Sequence, residues 1–269
     1  MINNLAYESL NRLDTWQRMR SITLGEMSGV KLMNRVDTKY VLSYHEVLRL
    51  INTAADNDYY VQIIDGVRAC RYVTLYYDTP EREMFVAHHN RKLTRQKLRT
   101  RTYVESGTTY FEIKNKSNRG RTKKRRTEIA LKAFNAFTSA SEATALLEKH
   151  SHYRPDEVSP ALYTRFTRIT LVNPTLSERI TIDLELSYED ARSHTMGSIE
   201  QMAIVEIKQD GNTTSPTKRI LRDMRIAPLK VSKYCLGTTL TVEGIKRNRF
   251  KAKLQSINKR LNRDKYDTI

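Results

Sequence analysis

The chain has 269 residues, 39% of them hydrophobic and 29% charged, and 47 lysines and arginines against 30 acids leave a formal charge of +17. That length holds one large domain or two small ones, and the charge excludes an ordinary neutral enzyme and an acidic disordered chain. No apolar run approaches the roughly 20 residues of a spanning helix. Residues 1–16 carry no signal-type apolar stretch, and Cys70 and Cys235 lack metal spacing. These features read as a soluble, reduced, cytoplasmic protein.

In chain order, residues 7–20 predict a short helix with Leu10, Leu13 and Trp16 on one side, and residues 35–42 alternate as a strand. Ser43 and Glu46 form a capping box before a helix whose face is Val47, Leu50, Ile51 and Ala54. Residues 68–78 are rich in β-formers, and Thr79-Pro80 predicts the start of a helix reaching about His89. Strands follow at 97–105, 109–116, 123–131, 162–172, 179–188 and 202–209, with a helix at 138–150 after the third. Ser215-Pro216 opens another helix, and a short strand is expected at 229–232. Residues 243–269 read as a basic amphipathic helix, with cations from Lys246 to Arg263 and Lys265 beside a stripe of Ile245, Phe250, Leu254, Ile257 and Leu261. That stripe suits docking on the body of the protein, on a membrane surface or on a partner. No HExxH, CxxC, GxSxG or glycine-rich phosphate loop occurs, which removes zinc hydrolases, serine hydrolases and P-loop enzymes.

Residues two apart on a strand share a face, and here one face is apolar while the other repeats Arg and Lys. Lys39 shares its face with Arg35 and Asp37. Arg99 stands with Arg101 and Tyr103, Lys114 and Lys116 with Tyr110 and Glu112, Lys124 with Arg126 and Glu128. Arg179 stands with Asp183 and Glu185, and Lys208 with Glu206. The plain reading is a sheet with its polar side in water. Yet cations about 7 Å apart repel by about 2.4 kcal/mol at an effective dielectric near 20. A sheet of about eight strands that curls into a barrel would turn these faces inward, toward a polyphosphate and a divalent metal.

The ordered set Arg35-Val-Asp37-Thr-Lys39-Tyr40, Tyr76-Tyr77-Asp78-Thr79, Leu98-Arg99-Thr-Arg101, Phe111-Glu112-Ile-Lys114, Tyr163-Thr-Arg165, Arg179-Ile-Thr-Ile-Asp183, Val205-Glu206-Ile-Lys208 and Val231-Ser232-Lys233-Tyr234 resembles the polyphosphate polymerase domain of the vacuolar transporter chaperone (VTC) family, among the CYTH-like triphosphate tunnel metalloenzymes. The resemblance spans about residues 30–240. It implies an α+β fold, one domain whose core is an eight-stranded antiparallel β tunnel, a closed barrel with a basic interior and flanking helices. It implies catalytic roles for Lys39, Arg99, Arg101, Lys114, Arg165 and Lys233. Phosphate contacts would add Lys116, Lys124, Arg126, Arg179 and Lys208, with Tyr163 and Ser232 as neutral hydrogen-bonders. Glu206 would hold Mn²⁺ or Mg²⁺, and Asp183 with Glu185 a second ion.

The implied activity moves the γ-phosphoryl group of ATP onto phosphate, pyrophosphate or polyphosphate and releases ADP. The hydrolytic branch carries Glu-x-Glu-x-Lys where this chain has Arg35-Val-Asp37-Thr-Lys39, so triphosphate hydrolysis is the alternative. Binding of polyphosphate without turnover, or of nucleic acid through Tyr103, Tyr110 and Tyr163, is a weaker one. The family's phosphate-sensing and membrane segments are not found in this sequence. A membrane-protein partner reached through the basic tail, at the inner face of a membrane, is a further expectation.

Overall fold

Strands with one apolar and one charged face must bury the first, and this chain does so by placing helices outside its sheet. The computed structural model describes residues 4–29, 35–211 and 214–262; Arg263, Lys265 and the side chain of Arg35 lie outside the described set. The described elements are α1 (Asn4–Asn11), β1 (Arg20–Ile22), β2 (Arg35–Ser43), α2 (Tyr44–Ala55), β3 (Tyr60–Gln62), β4 (Ala69–Asp78), α3 (Glu83–His89), β5 (Arg95–Tyr103), β6 (Thr108–Lys116), β7 (Thr122–Glu128), α4 (Ser141–His150), β8 (Ser159–Val172), β9 (Glu178–Asp190), β10 (Met196–Ser198), β11 (Met202–Asp210), α5 (Pro216–Asp223), α6 (Lys233–Thr241) and α7 (Asn248–Leu261). The fold is α+β.

Eight strands pair in the order β2-β11-β9-β8-β4-β5-β6-β7, every pair antiparallel. Among the described residues no backbone ladder joins β7 to β2, so the sheet is not closed by hydrogen bonds as a barrel would be. The expected strand at 229–232 is instead an irregular segment lying along β2. There Leu229 N donates to Lys39 O at 2.8 Å, covering part of that free edge.

The outer face of β2, β11, β9 and β8 presents Leu42, Val205, Ile182 and Leu171 to the α2 residues Val47, Leu50 and Ile51. The outer face of β4, β5 and β6 places Leu75, Leu98, Phe111 and Ile113 against Leu147 of α4. On the inner face, α6 fills part of the hollow. Tyr234, Cys235 and Leu236 pack with Tyr76, Phe166, Leu186 and Ile204. The close approach needs Gly237, where a Cβ would lie 2.4 Å from Tyr188 and 2.7 Å from Leu162. Thr79-Pro80 does not open the next helix. Asp78 accepts from Met84 N at 2.9 Å and Phe85 N at 3.0 Å, and Thr79 Oγ1 from Glu83 N at 3.1 Å, so α3 begins at Glu83. The stretch at 7–20 splits into α1 and a 3₁₀ turn at Asp14–Arg18.

The tail helix α7 uses its apolar face within the molecule. Phe250 and Ile257 are buried in the α6 cluster, with Phe250 against Phe85 at 5.7 Å between ring centres. No described helix is long and apolar enough to cross a membrane.

Candidate functional site

Alternate side chains from all eight strands of the path reach one cavity of about 800 Å³, and Ser232 and Lys233 enter it from the start of α6. Among the described residues thirteen lysines and arginines line it against Asp37 and Glu206. Glu112 and Asp183 are buried against those cations, which leaves a surplus of nine positive charges. Strand register stacks them in rungs: Lys97, Lys114 and Lys124 are direct neighbours across β5, β6 and β7. Direct cross-strand neighbours stand about 5 Å apart, where two cations repel by about 3 kcal/mol at an effective dielectric of 20.

Three carboxylates relieve part of this strain. Glu112 accepts from Arg99 Nε at 2.6 Å and Lys124 Nζ at 2.9 Å. Asp183 accepts both arms of Arg168, at 2.5 and 2.8 Å, and pairs with Lys233. Glu206 meets Lys208 at 2.8 Å and Lys39 at 3.7 Å. Burial opposes the charge of all three, yet the cations outweigh it and hold each carboxyl well below the usual range. The cations pay the reverse cost. Lys208 is pulled down to about 8 by burial and by Arg168 and Arg179 against the support of Glu206. Lys233 falls to about 8 through burial, Arg168 and Lys39. Lys114, whose ammonium has no carboxylate within 4 Å among the described residues, falls to about 8 through loss of water and the neighbouring Arg99, Lys39 and Lys97.

Of the residues singled out from sequence, Lys39, Arg99, Arg101, Lys114, Lys116, Lys124, Arg126, Arg179, Glu206, Lys208, Ser232 and Lys233 line this cavity. Tyr163 and Arg165 do not. They stand on the outer face of β8, where Tyr163 donates to Asn135 at 3.0 Å and Arg165 pairs with Glu189 at 2.8 Å. The inward arginine of that strand is Arg168, which packs over the Tyr72 and Phe166 rings. Its signal was the parity of Ile169 and Leu171, which places Arg165 on the apolar side. Lys97, Arg95 and Tyr76 were also missed, although Lys97 and Arg95 share the parity of Arg99. Tyr76 accepts from Arg99 Nη1 at 3.4 Å, and Arg99, Arg101, Lys97 and Lys233 pull its phenol down to about 8 against the effect of burial.

Among the described residues no three of His, Cys, Asp and Glu gather as a metal cage. Glu206 and Asp37 open on the cavity, a donor set that fits Mn²⁺ or Mg²⁺ where phosphate oxygens complete the shell. Asp183 and Glu185 do not assemble the second site. Asp183 is buried and does not line the cavity, closed in by Arg168 and Lys233, and Glu185, at φ 53°, turns to Thr167 Oγ1 at 3.2 Å.

Comparison with solved structures finds the Hippeastrum protein HpAC1, described as an adenylyl cyclase with a dominant triphosphatase activity. It is 14% identical, with a TM-score of 0.50 over 79% of this chain and 98% of that one. A candidate adenylate cyclase of Bacillus halodurans is 12% identical, with a TM-score of 0.48 over 74% of this chain and 94% of its own. One from Vibrio parahaemolyticus is 14% identical, with a TM-score of 0.45 over 77% and 99%. At such identity the likeness to HpAC1 speaks for the fold alone. No curated protein matches the chain. The family model described as the VTC domain matches residues 34–242, and those residues carry the inward rungs of charge; the chain belongs to the VTC domain family.

Proposed function

We propose that this protein, acting as one tunnel domain, is a metal-dependent polyphosphate polymerase that moves the γ-phosphoryl group of ATP onto the end of a polyphosphate chain and releases ADP. One observation carries the reading: nine surplus cations converge on a single cavity with few carboxylates open to it. A condensed phosphate chain supplies the missing negative charge in that geometry, and desolvation strengthens every contact with it.

Phosphoryl transfer asks mainly for alignment and neutralisation of charge on the moving group. Arg99 and Arg101 on β5 offer planar forks for phosphate oxygens from one wall, and Arg168 on β8 offers another. Lys39, Lys114, Lys208 and Lys233 supply point charges from the remaining sides. The Ser232 hydroxyl accepts from Lys97 Nζ at 2.7 Å and Cys235 N at 3.3 Å, so its own hydrogen is left to donate to a phosphate oxygen. Glu206, with Asp37 also lining the cavity, would hold Mn²⁺ or Mg²⁺, which when bound would neutralise phosphate charge. The acceptor is itself an anionic phosphate oxygen, so no protein base is needed for its attack.

The scarcity of cavity carboxylates favours a phosphate acceptor over activated water. The fold likeness to HpAC1, described with triphosphatase activity, keeps hydrolysis as the second reading. Purified protein incubated with ATP and Mn²⁺ is followed for ADP, free phosphate and long chains. ADP with chains supports polymerisation, free phosphate from tripolyphosphate supports hydrolysis, and no turnover of either substrate would refute both.

A further inference from the structure

We infer that the outward surface of α7 beside the Arg95–Lys116 rim is a track for the part of a polyphosphate chain lying outside the cavity; this rests on the function proposed above. Arg95 and Lys116 are register partners at the ends of β5 and β6, and both line the cavity. His88, in the same wall, has a buried Nδ1 with no partner among the described residues. Its imidazole is pushed down to about 2 by burial and then by Lys97, Arg95, Lys253 and Lys116. The charged groups acting most strongly on it are thus all cations, three from the cavity and one from α7. Lys253 in turn lies in the field of Arg91, just past α3.

Two contacts fix α7 in this place. His89 Nε2 meets Asn248 Oδ1 at 2.7 Å, and the rings of Phe250 and His89 meet edge to face, 5.7 Å between centres. From Lys246 to Asn262 the chain holds seven lysines and arginines and no acid, while its apolar residues Phe250 and Ile257 are buried within the molecule. With the apolar stripe spent inward, what α7 offers outward is cationic, including the exposed Arg249. Membrane insertion has nothing to work with on this face. A flexible polyanion that already fills the cavity would pass from Arg95 and Lys116 to Lys253 and Arg91 and on to the exposed Arg249.

Binding of tripolyphosphate and of long-chain polyphosphate is measured as a function of salt, for the native sequence and for Arg91→Asn/Arg249→Gln/Lys253→Gln. Each lost contact to a flexible polyanion removes about 0.7 from the slope of log Kd against log salt. The triple variant should lose about 2 from the long-chain slope and leave tripolyphosphate binding unchanged, which also certifies its fold. An Arg91→Asn/Arg249→Gln variant, keeping the Lys253 stem in place, should lose about 1.4. Normal tripolyphosphate binding with an unaltered long-chain slope overturns the track. Failure of the native protein to bind tripolyphosphate overturns the cavity reading and the track with it. An oligonucleotide that binds α7 as tightly as polyphosphate, with the same slope, overturns the choice of occupant.

Discussion

The crowded cations make the ligand-free protein gain stability as pH rises from 7.5 to 9. Lys208 and Lys233, with side chains only 11% and 12% exposed, titrate at about 8 in the folded state, whereas an unfolded lysine titrates near 10.4. Between those values the native state binds fewer protons than the unfolded chain, so stability rises with pH across that window. From pH 7.5 to 9 the two lysines together gain about 2 kcal/mol. Tyr76, pulled down to about 8 by Arg99, Arg101, Lys97 and Lys233 against burial, adds about 1 kcal/mol in the same direction. Cys70, pushed up to about 12 by burial, opposes them. Unfolded thiols ionise near 8.5, which takes back about 1 kcal/mol by pH 9. The net gain is about 2 kcal/mol, or about 4–8 °C in Tm for a chain of this size. Thermal melts in phosphate-free buffer at pH 7.5, 8.25 and 9 measure it, alongside the same series with saturating tripolyphosphate. The bound anion keeps the lysines protonated and flattens the rise. A Tm that stays level or falls without ligand would mean the cations are not crowded at all, and the cavity argument would lose its physical basis.

Two further outcomes follow from particular side chains. Arg168→Gln should weaken tripolyphosphate binding by about tenfold or more, since one cation about 6 Å from a phosphate contributes about 3 kcal/mol at an effective dielectric of 20. Arg165→Gln, on the outer face, should change binding by no more than about twofold; isothermal titration of the pair separates the two positions. Glu112→Gln removes the shared partner of Arg99 and Lys124. It should cost the ligand-free protein about 3–5 kcal/mol in denaturant unfolding, yet bind tripolyphosphate more tightly than the native sequence does, because the charge surplus grows by one.

Most of the strands were legible because their alternation is strict. Ile180, Ile182 and Leu184 against Arg179, Thr181 and Asp183 leave a single way to bury β9. The capping box of Ser43 and Glu46 was equally plain, and both of its hydrogen bonds are present at the start of α2. What could not be read is how the inside is shared between apolar helix and charged cavity. The apolar residues of α6 look like those of any buried helix, and only Gly237 marks a backbone brought unusually close to a sheet. Closure was also overread. A count of eight strands says nothing about whether the first and last will pair, and here the segment around Leu229 lies along the edge of β2.

The exchange of Arg165 for Arg168 shows where strand parity outranks motif order. Between residues 164 and 168 the register of β8 on β4 is regular, Cys70 facing Arg168, Tyr72 facing Phe166 and Thr74 facing Thr164, so Arg165 and Arg168, three apart, must point to opposite faces. Ile169 and Leu171, in the parity of Arg165, are fully committed to the outer core, and an arginine turned inward from that set would drag them into the cavity. Against β9 the register slips between Arg165 and Thr167, opposite the left-handed backbone of Glu185. The extra β9 residue lets Asp183 reach Arg168 while Leu186 and Tyr188 still meet α6. A bulge of that kind re-aims side chains at the border between two environments, and here the border runs between the charged cavity and its apolar plug. The same slip explains why Glu185 could not join Asp183 as a metal ligand, although the sequence sets them two apart as neighbours on one face.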